Sequence, residues 1–322
     1  MKKLKVFNHP WHLAHQYELM KFDWLEWSWL VQYHRQYGDT SRGDFFTGNM
    51  VPHYEAGKYD FALLHLDQQC LADNLLERGK GSLYRELNET IQDIPKIVLM
   101  HGTPFYPEHF ATQQEMIDKA KELIGDNFVI TNSKAAAEQW GFGYPIWHGM
   151  DPKEWYDLPK EPRVVTMIGP AGLDWYYDRN FLKAVKDYLE EEGIMHCHIT
   201  ADWAANNWEE YRQFLGRSLL YFNPTRESPM PRARTEAMLS GSCVLTTPNQ
   251  DADQFIKDGD NGFIIPRNPK KVVELIKSLM KDYDLALKIG QAGKKTAIET
   301  FSHKRFEDDW KKMIQLALKI KL

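Results

Sequence analysis

The sequence lacks the signatures of several large protein classes. No G-x-G-x-x-G follows its first apolar segment and no G-x-x-x-x-G-K-[ST] occurs anywhere. A dinucleotide-dependent dehydrogenase and a P-loop NTPase are therefore not expected. Cysteine is scarce. Cys70, Cys197 and Cys243 are far apart, odd in number and free of C-x-x-C spacing, the pattern of reduced thiols in a cytosolic protein. The opening MKKLKVFNHPWHLAH has lysines but no apolar stretch of signal-peptide length, and no uninterrupted apolar run approaches a membrane span. The expected location is cytoplasmic. An excess of positive charge is also missing: 40 Lys and Arg stand against 45 Asp and Glu, for a net charge of −5. Broad nucleic-acid binding, which needs a basic face, is not expected.

What is present is ordinary in bulk and ordered in detail. Hydrophobic residues make up 43% and charged residues 26% of the 322 positions, as in soluble globular proteins, and the length suits two domains, each with its own core. Aromatics are plentiful, and many crowd between Trp11 and Tyr37. Ring faces suit sugars, but most large rings fill cores.

Strand-like and helix-like segments alternate. Strands are expected at 3–7, 28–34, 61–67, 95–102 and 127–133, with a helix at 12–21 and another after Ser133, which can cap it. A stretch rich in turn formers and charge around Pro152, Pro159 and Pro162 reads as a linker. The pattern then restarts. Strands are expected from Arg163 and at 196–202, 218–224, 243–248 and 263–266. Helices are expected over Arg179–Glu191, 207–216 and 231–241, the last with Pro231 near its start and Gly241 past its end. A short helix at 251–259 and two long terminal helices complete the reading. Short apolar strands separated by helices imply parallel sheets. The fold class is α/β, with two doubly wound domains, and ligands are expected outside the carboxyl ends of the strands and in the cleft between the domains.

The segments FNPTRESPMPRARTEAMLSGSCVLTT and DADQFIKDGDNGFIIP resemble the donor domain of the retaining glycosyltransferases of family 4. The likeness runs over most of residues 163–310. In the first half, LMHGTPFYP, VITNSKAAAEQW and WHGMDPKEWY are similar to the family's His-Gly turn, strand-Ser-helix unit and linker. The region before Asp60, where such enzymes select their acceptor, matches little. The chain looks like a short, divergent member. The resemblance implies the GT-B fold, two Rossmann-like domains facing across a cleft, with an acceptor-side domain at 1–158, a donor domain at 159–302 and a terminal helix at 303–322 returning to the first domain. It implies transfer of a hexosyl group, with retention, from a UDP- or GDP-linked sugar to a carbohydrate, lipid or other small acceptor. No metal and no cofactor beyond the donor are implied. Two rivals stay open: a nucleotide-sugar epimerase, and a non-catalytic nucleotide-sugar or glycan binder. The terminal helix is amphipathic and basic on one side, so packing on the first domain and peripheral contact with the inner membrane face are both open readings.

The resemblance also assigns residues. Glu227 would hold hydroxyls of the donor sugar and Glu236 those of the ribose, since a carboxylate accepts two hydrogen bonds from a vicinal diol. Ser228, Pro229 and Met230 would line the diphosphate, and a helix expected to begin near Met230 would point its amides at it. The family has seven residues between the two glutamates. Here there are eight, which predicts a bulge at Glu227. Arg179 matches the second of two basic residues that neutralise the leaving diphosphate. The first falls near Gly169, Pro170 and Ala171, where no basic residue stands; Arg232 or Arg234 could substitute. His101, at a strand's carboxyl end, would face the donor sugar across the cleft, whereas His148 turns the chain into the linker. Asp202 and Trp203 follow a strand, and a base could stack on Trp203. The catalytic set is thus His101, Glu227 and Arg179. The donor-binding set is Gly169, Arg179, Asp202, Trp203, Ser228, Pro229, Met230, Arg232 and Glu236. His9, His12 and His15 have helical spacing but no acidic partner pattern, so no metal site is expected. Retaining hydrolases set a nucleophilic carboxylate beside the sugar; none is evident here, so the acceptor would attack on the face that the diphosphate leaves.

Overall fold

The structure, a computed structural model, describes residues 3–9, 12–30, 48–72, 80–168, 174–199 and 207–321. The chain divides into two compact units, Met1–Gly149 with His303–Leu322, and Met150–Ser302.

The first unit is built on a parallel sheet of β1 (Leu4–Asn8), β2 (Leu25–Leu30), β3 (Asn49–Val51), β4 (Phe61–Leu66), β5 (Lys96–Met100), β6 (Phe128–Thr131) and β7 (Tyr144–Pro145). Its order is β3-β2-β1-β4-β5-β6-β7. Helices α1 (Leu13–Leu19), α2 (Lys80–Thr90), α3 (Gln113–Ile124) and α4 (Lys134–Trp140) connect the strands. All six residues of β4 are buried, as in a parallel sheet covered on both faces. Val6 of β1 pairs with Trp27 on one side and Phe61 on the other. The strand order reverses between β1 and β4, and their carboxyl ends frame the unit's switch point. Ser133 caps α4 as expected, its hydroxyl accepting from the Ala136 amide at 3.0 Å.

The second unit has a five-stranded parallel sheet, β12-β11-β10-β8-β9, made of β8 (Glu161–Met167), β9 (His196–Ile199), β10 (Ser218–Asn223), β11 (Cys243–Thr246) and β12 (Phe263–Ile264). Its helices are α5 (Asp174–Tyr177), α6 (Arg179–Glu191), α7 (Trp208–Gly216), α8 (Arg232–Leu239), α9 (Pro269–Lys281) and α10 (Tyr283–Thr300). Phe181, Leu182, Val185 and Leu189 form one stripe of α6 and bury against Val164, Leu220, Phe222 and Leu245 of the sheet, together with Val272 and Ile276 of α9. Each such side chain contributes about 1.5–3 kcal/mol. Here the order reverses between β8 and β10.

The chain then returns to the first unit through α11 (His303–Leu318). His303 Nε2 lies 3.0 Å from the Glu18 carbonyl, Arg305 donates to the carbonyls of Trp147 and His148, and Phe306 packs on Phe22. A side chain at Gly149 would collide with Phe306.

Some expectations need revision. The second unit begins at Met150, ahead of 159, because residues 151–158 are held within it. Trp155 packs on Trp208 at 5.0 Å, Leu158 donates to the Gly216 carbonyl, and Asp157 pairs with Lys294 at 2.9 Å. The helix expected at 251–259 is a 3-10 turn, Gln250–Gln254, with a kink at Asp251. Three helices, not two, follow β12. Helices α2 and α3 were not anticipated, although α3 carries a legible signal. Thr112 accepts from the Glu115 amide at 3.1 Å and Glu115 reaches back to the Ala111 amide at 3.1 Å, in the manner of a capping box. Among the described residues no helix is long and apolar enough to cross a membrane.

Candidate active site

In the second unit the acidic stretch occupies the loop after β10, at the switch point, where doubly wound sheets hold their ligands. The loop is fixed from two sides. The amides of Arg226 and Glu227 both donate to the Tyr176 carbonyl, at 2.9 and 3.2 Å, and Asn249 donates to the Arg226 carbonyl at 2.7 Å. Glu227 is half-buried. Burial pushes its carboxyl above the ordinary 4.5, against the opposing pull of Arg226 and Arg267.

Helix α8 begins at Arg232, close to the expected start. Pro231 stands before it as its N-cap, in a non-helical conformation. Pro229 and Pro231 have no N–H to donate. Met230 is buried, its sulfur accepting from Arg234 Nη2 at 3.4 Å, and Ser228 is half-buried. Glu236 is only 2% exposed. One of its oxygens accepts from the Tyr211 hydroxyl at 2.6 Å, and the other lies 3.9 Å from Arg232 Nε. Arg234 is 0% exposed with its guanidinium 5.0 Å from the Phe255 ring, and burial lowers its pKa to about 10. It is an enclosed core side chain rather than one open to solvent.

Arg179 is the first residue of α6, and its amide donates to Asp174 at 2.8 Å. The residue before it, Asp178, has φ 52, in the left-handed region. Asp178 caps α6 through the Phe181 amide and is engaged by Arg267 Nη1, with Arg226 Nε at 3.8 Å. Arg267 also donates to the carbonyls of Pro224 and Thr225, at 3.3 Å each. Arg226, Arg267, Asp178 and Tyr211 were absent from the sequence reading; only Arg226, adjoining Glu227, had a positional hint. Gly169, Asp202 and Trp203 lie outside the described residues.

The switch point of the first unit is lined differently. His101 directly follows β5 and is buried. Its Nε2 lies 2.8 Å from His65 Nδ1 and its Nδ1 lies 3.2 Å from Asn132 Nδ2, with the His65 and His101 rings stacked at 5.1 Å. His65 Nε2 in turn meets Gln16 at 2.7 Å and Asn8 at 3.0 Å. Both ring nitrogens of His101 are thus engaged inside the first unit. Burial holds His65 well below its ordinary pKa and lowers His9 to about 3, so both are neutral at pH 7. Of the three histidines with helical spacing, only His15 lies within α1; His9 follows β1 and His12 is the exposed residue capping α1. The His12 ring sits 4.4 Å from that of His101. Among the described residues no group of three or more His, Cys, Asp or Glu could hold a metal ion. A cavity of about 640 Å³ beside Lys96, Phe128 and Tyr144 opens at the amino ends of β5 to β7, the edge away from these histidines.

Comparison with known proteins bears on both units. Residues 157–296 match the family described as Glycosyl transferases group 1. The spore coat protein SA of Bacillus subtilis (strain 168) is 23% identical over 155 residues, which are 48% of this chain and 41% of that protein, so the match spans less than half of that relative. Three solved structures share the fold over nearly the whole chain. A glycosyltransferase from Rickettsia africae ESF-5 has a TM-score of 0.67 at 13% identity, covering 100% of each chain. HepE of Anabaena, in complex with UDP and glucose, has 0.66 at 15% identity, covering 97% of this chain and 100% of its own. The sucrose-phosphate synthase of Thermosynechococcus elongatus has 0.66 at 11% identity, covering 98% and 100%. The fold is therefore that of the GT-B glycosyltransferases, two Rossmann-like units with parallel sheets. The family match falls within the second unit, over residues 157–296.

Proposed function

We propose that the chain is a retaining glycosyltransferase that moves a hexosyl group from a UDP- or GDP-linked sugar to a carbohydrate, lipid or other small acceptor. The observation that carries the reading is the position of the Glu227–Glu236 stretch. It forms the loop and first helical turns after β10, at the switch point of the unit that matches the glycosyltransferase family. The UDP held by HepE of Anabaena favours a uracil donor.

Each group then has a task. Glu236, oriented by the Tyr211 hydroxyl, accepts hydrogen bonds from the ribose diol, and Glu227 accepts them from the hexose. Arg179 and the loop amide of Ser228 meet the charge that grows on the diphosphate as the anomeric carbon–oxygen bond breaks. The acceptor hydroxyl bonds to that carbon on the face the diphosphate leaves, and its proton passes to the departing phosphate oxygen. The scheme asks for no metal. Because both ring nitrogens of His101 are engaged, its contact with substrate falls to the ring face or the main chain. A cytoplasmic setting suits three buried cysteines that form no disulfide.

The test is to incubate the protein with UDP-, GDP-, ADP- and TDP-sugars and follow nucleotide release, after a thermal-shift screen of the same donors. Unchanged release by Glu236→Ala would overturn the assignment. The engaged state of Glu236 and His101 favours one second reading, a sugar-nucleotide binder without turnover. It would show as nucleotide binding with no release against any acceptor.

A further inference from the structure

The stretch of sequence between β8 and α6 poses a charge problem. Residues 168–178, IGPAGLDWYYD, carry no lysine or arginine. On the proposed reading, a diphosphate at this switch point would have Arg179 but no partner cation from that stretch. The surrounding arginines differ in what they can offer. Arg234 is sealed in the core. Arg232 lies beside Glu236, with its side chain 16% exposed. Arg267 is committed to Asp178 and to two backbone carbonyls of the loop.

Arg226 is different. Its side chain is 46% exposed, and its only ion pair among the described residues is at 3.8 Å to an Asp178 oxygen that Arg267 already engages. The contact is long and shared with Arg267, so Asp178 keeps a closer partner when Arg226 turns to an incoming anion. The main chain of Arg226, in contrast, is pinned at the switch point. Its amide donates to Tyr176, its carbonyl accepts from Asn249, and the next residue is Glu227. An exposed cation on a fixed stem therefore adjoins the residue expected to hold the donor sugar.

We propose that Arg226 supplies the cation absent from the 168–178 sequence, its guanidinium leaving Asp178 to bind the distal phosphate of a nucleoside diphosphate. Asp178 remains neutralised by Arg267, so releasing Arg226 leaves no buried carboxylate unpaired. The planar guanidinium fork suits two phosphate oxygens at once, which an ammonium does not match. The inference rests on the donor-site reading of this loop.

The test is calorimetric titration of wild type, Arg226→Ala, Arg226→Gln and Arg226→Lys with UDP, UMP and uridine, and with GDP, GMP and guanosine, with circular dichroism melts to verify folding. The expected result is a loss of about tenfold or more in diphosphate affinity for the Ala and Gln variants, with partial recovery in the Lys variant. Nucleoside affinity should stay within about twofold, because the base and ribose do not reach this charge. Diphosphate affinity equal to wild type in both Ala and Gln variants overturns the assignment of Arg226 alone. An equal loss for nucleoside and diphosphate also overturns it, since that marks a loop-ordering role. A wild-type protein that binds no nucleoside diphosphate overturns the donor-site reading and this inference with it.

Discussion

The two units use the same winding and arrive at opposite chemistries. In both, the strand order reverses beside the first strand, and the carboxyl ends of the strands there gather polar side chains. In the first unit these are imidazoles and amides, Asn8, Gln16, His65, His101 and Asn132, joined by hydrogen bonds of 2.7 to 3.3 Å. In the second they are guanidinium and carboxylate groups, Arg226, Arg267, Asp178, Glu227 and Glu236. A neutral network of donors and acceptors suits hydroxyl-bearing ligands, whereas guanidinium and carboxylate groups suit phosphates and diols. One backbone plan thus sets where a site lies, and the side chains set what it takes.

That contrast can be broken or sharpened by experiment. The largest effect is expected from Glu236→Ala. It should lower nucleotide release about 100-fold, the loss of one or two hydrogen bonds to a charged group, with His101→Ala costing less. Equal losses would erase the distinction between the two clusters. Glu236→Gln keeps a partner for Tyr211 and separates binding from folding.

Acid should affect both units alike. Burial lowers His9 in the first unit and His196 in the second from 6.5 to about 3. Between those values the unfolded chain binds more protons than the folded one, so the stability from each neutral histidine is complete above pH 6.5 and falls as pH drops toward 3. From pH 7 to 5 the loss is about 2 kcal/mol per histidine. Urea unfolding at the two pH values measures it. Stability independent of pH over this range would contradict the desolvation of both groups.

Changes confined to one cluster should remain local. His65→Phe leaves His101, Gln16 and Asn8 each short of a partner and should cost about 1–3 kcal/mol of stability, while nucleotide affinity in the second unit stays within about twofold. A large change in nucleotide affinity would show that the clusters are coupled. Tyr211→Phe should weaken uridine and UDP by the same factor, about three- to tenfold, because Tyr211 orients the group assigned to the ribose. This is the opposite of the pattern expected for Arg226. The smallest effect concerns Glu227. Burial raises its carboxyl, so the acid limb of the release rate should lie above the ordinary 4.5. Glu227→Gln should remove that limb; a limb that persists belongs to another group.

Much of this architecture was legible before any contact was known. The helix over roughly Arg179–Glu191 was readable, since its apolar spacing and the turn formers ahead of it are local signals. The Ser133 cap and the Gly241 turn, at φ 73, are equally local. Helix α2 escaped because Gly81 and a polar surface blur its periodicity, whereas Pro231 marked the start of α8 closely. Within the site, the spacing of Glu227 and Glu236 was visible, but the charge balance around them was not. Arg234 looked as available as Arg232 until its burial against Phe255 separated them.

By itself the sequence determined the alternation of strands and helices, the presence of two parallel sheets, and which edge of each sheet carries polar residues. These follow from periodicities of two and 3.6 residues and from short-range capping. Only the tertiary structure decided the partners. Tyr211 meets Glu236 across 25 residues, His65 meets His101 across 36, and Arg267 meets Asp178 across 89. No local pattern encodes such pairs. They exist because parallel strands distant in the chain end side by side, and a buried polar group there must find its partner in whatever segment the sheet brings to it.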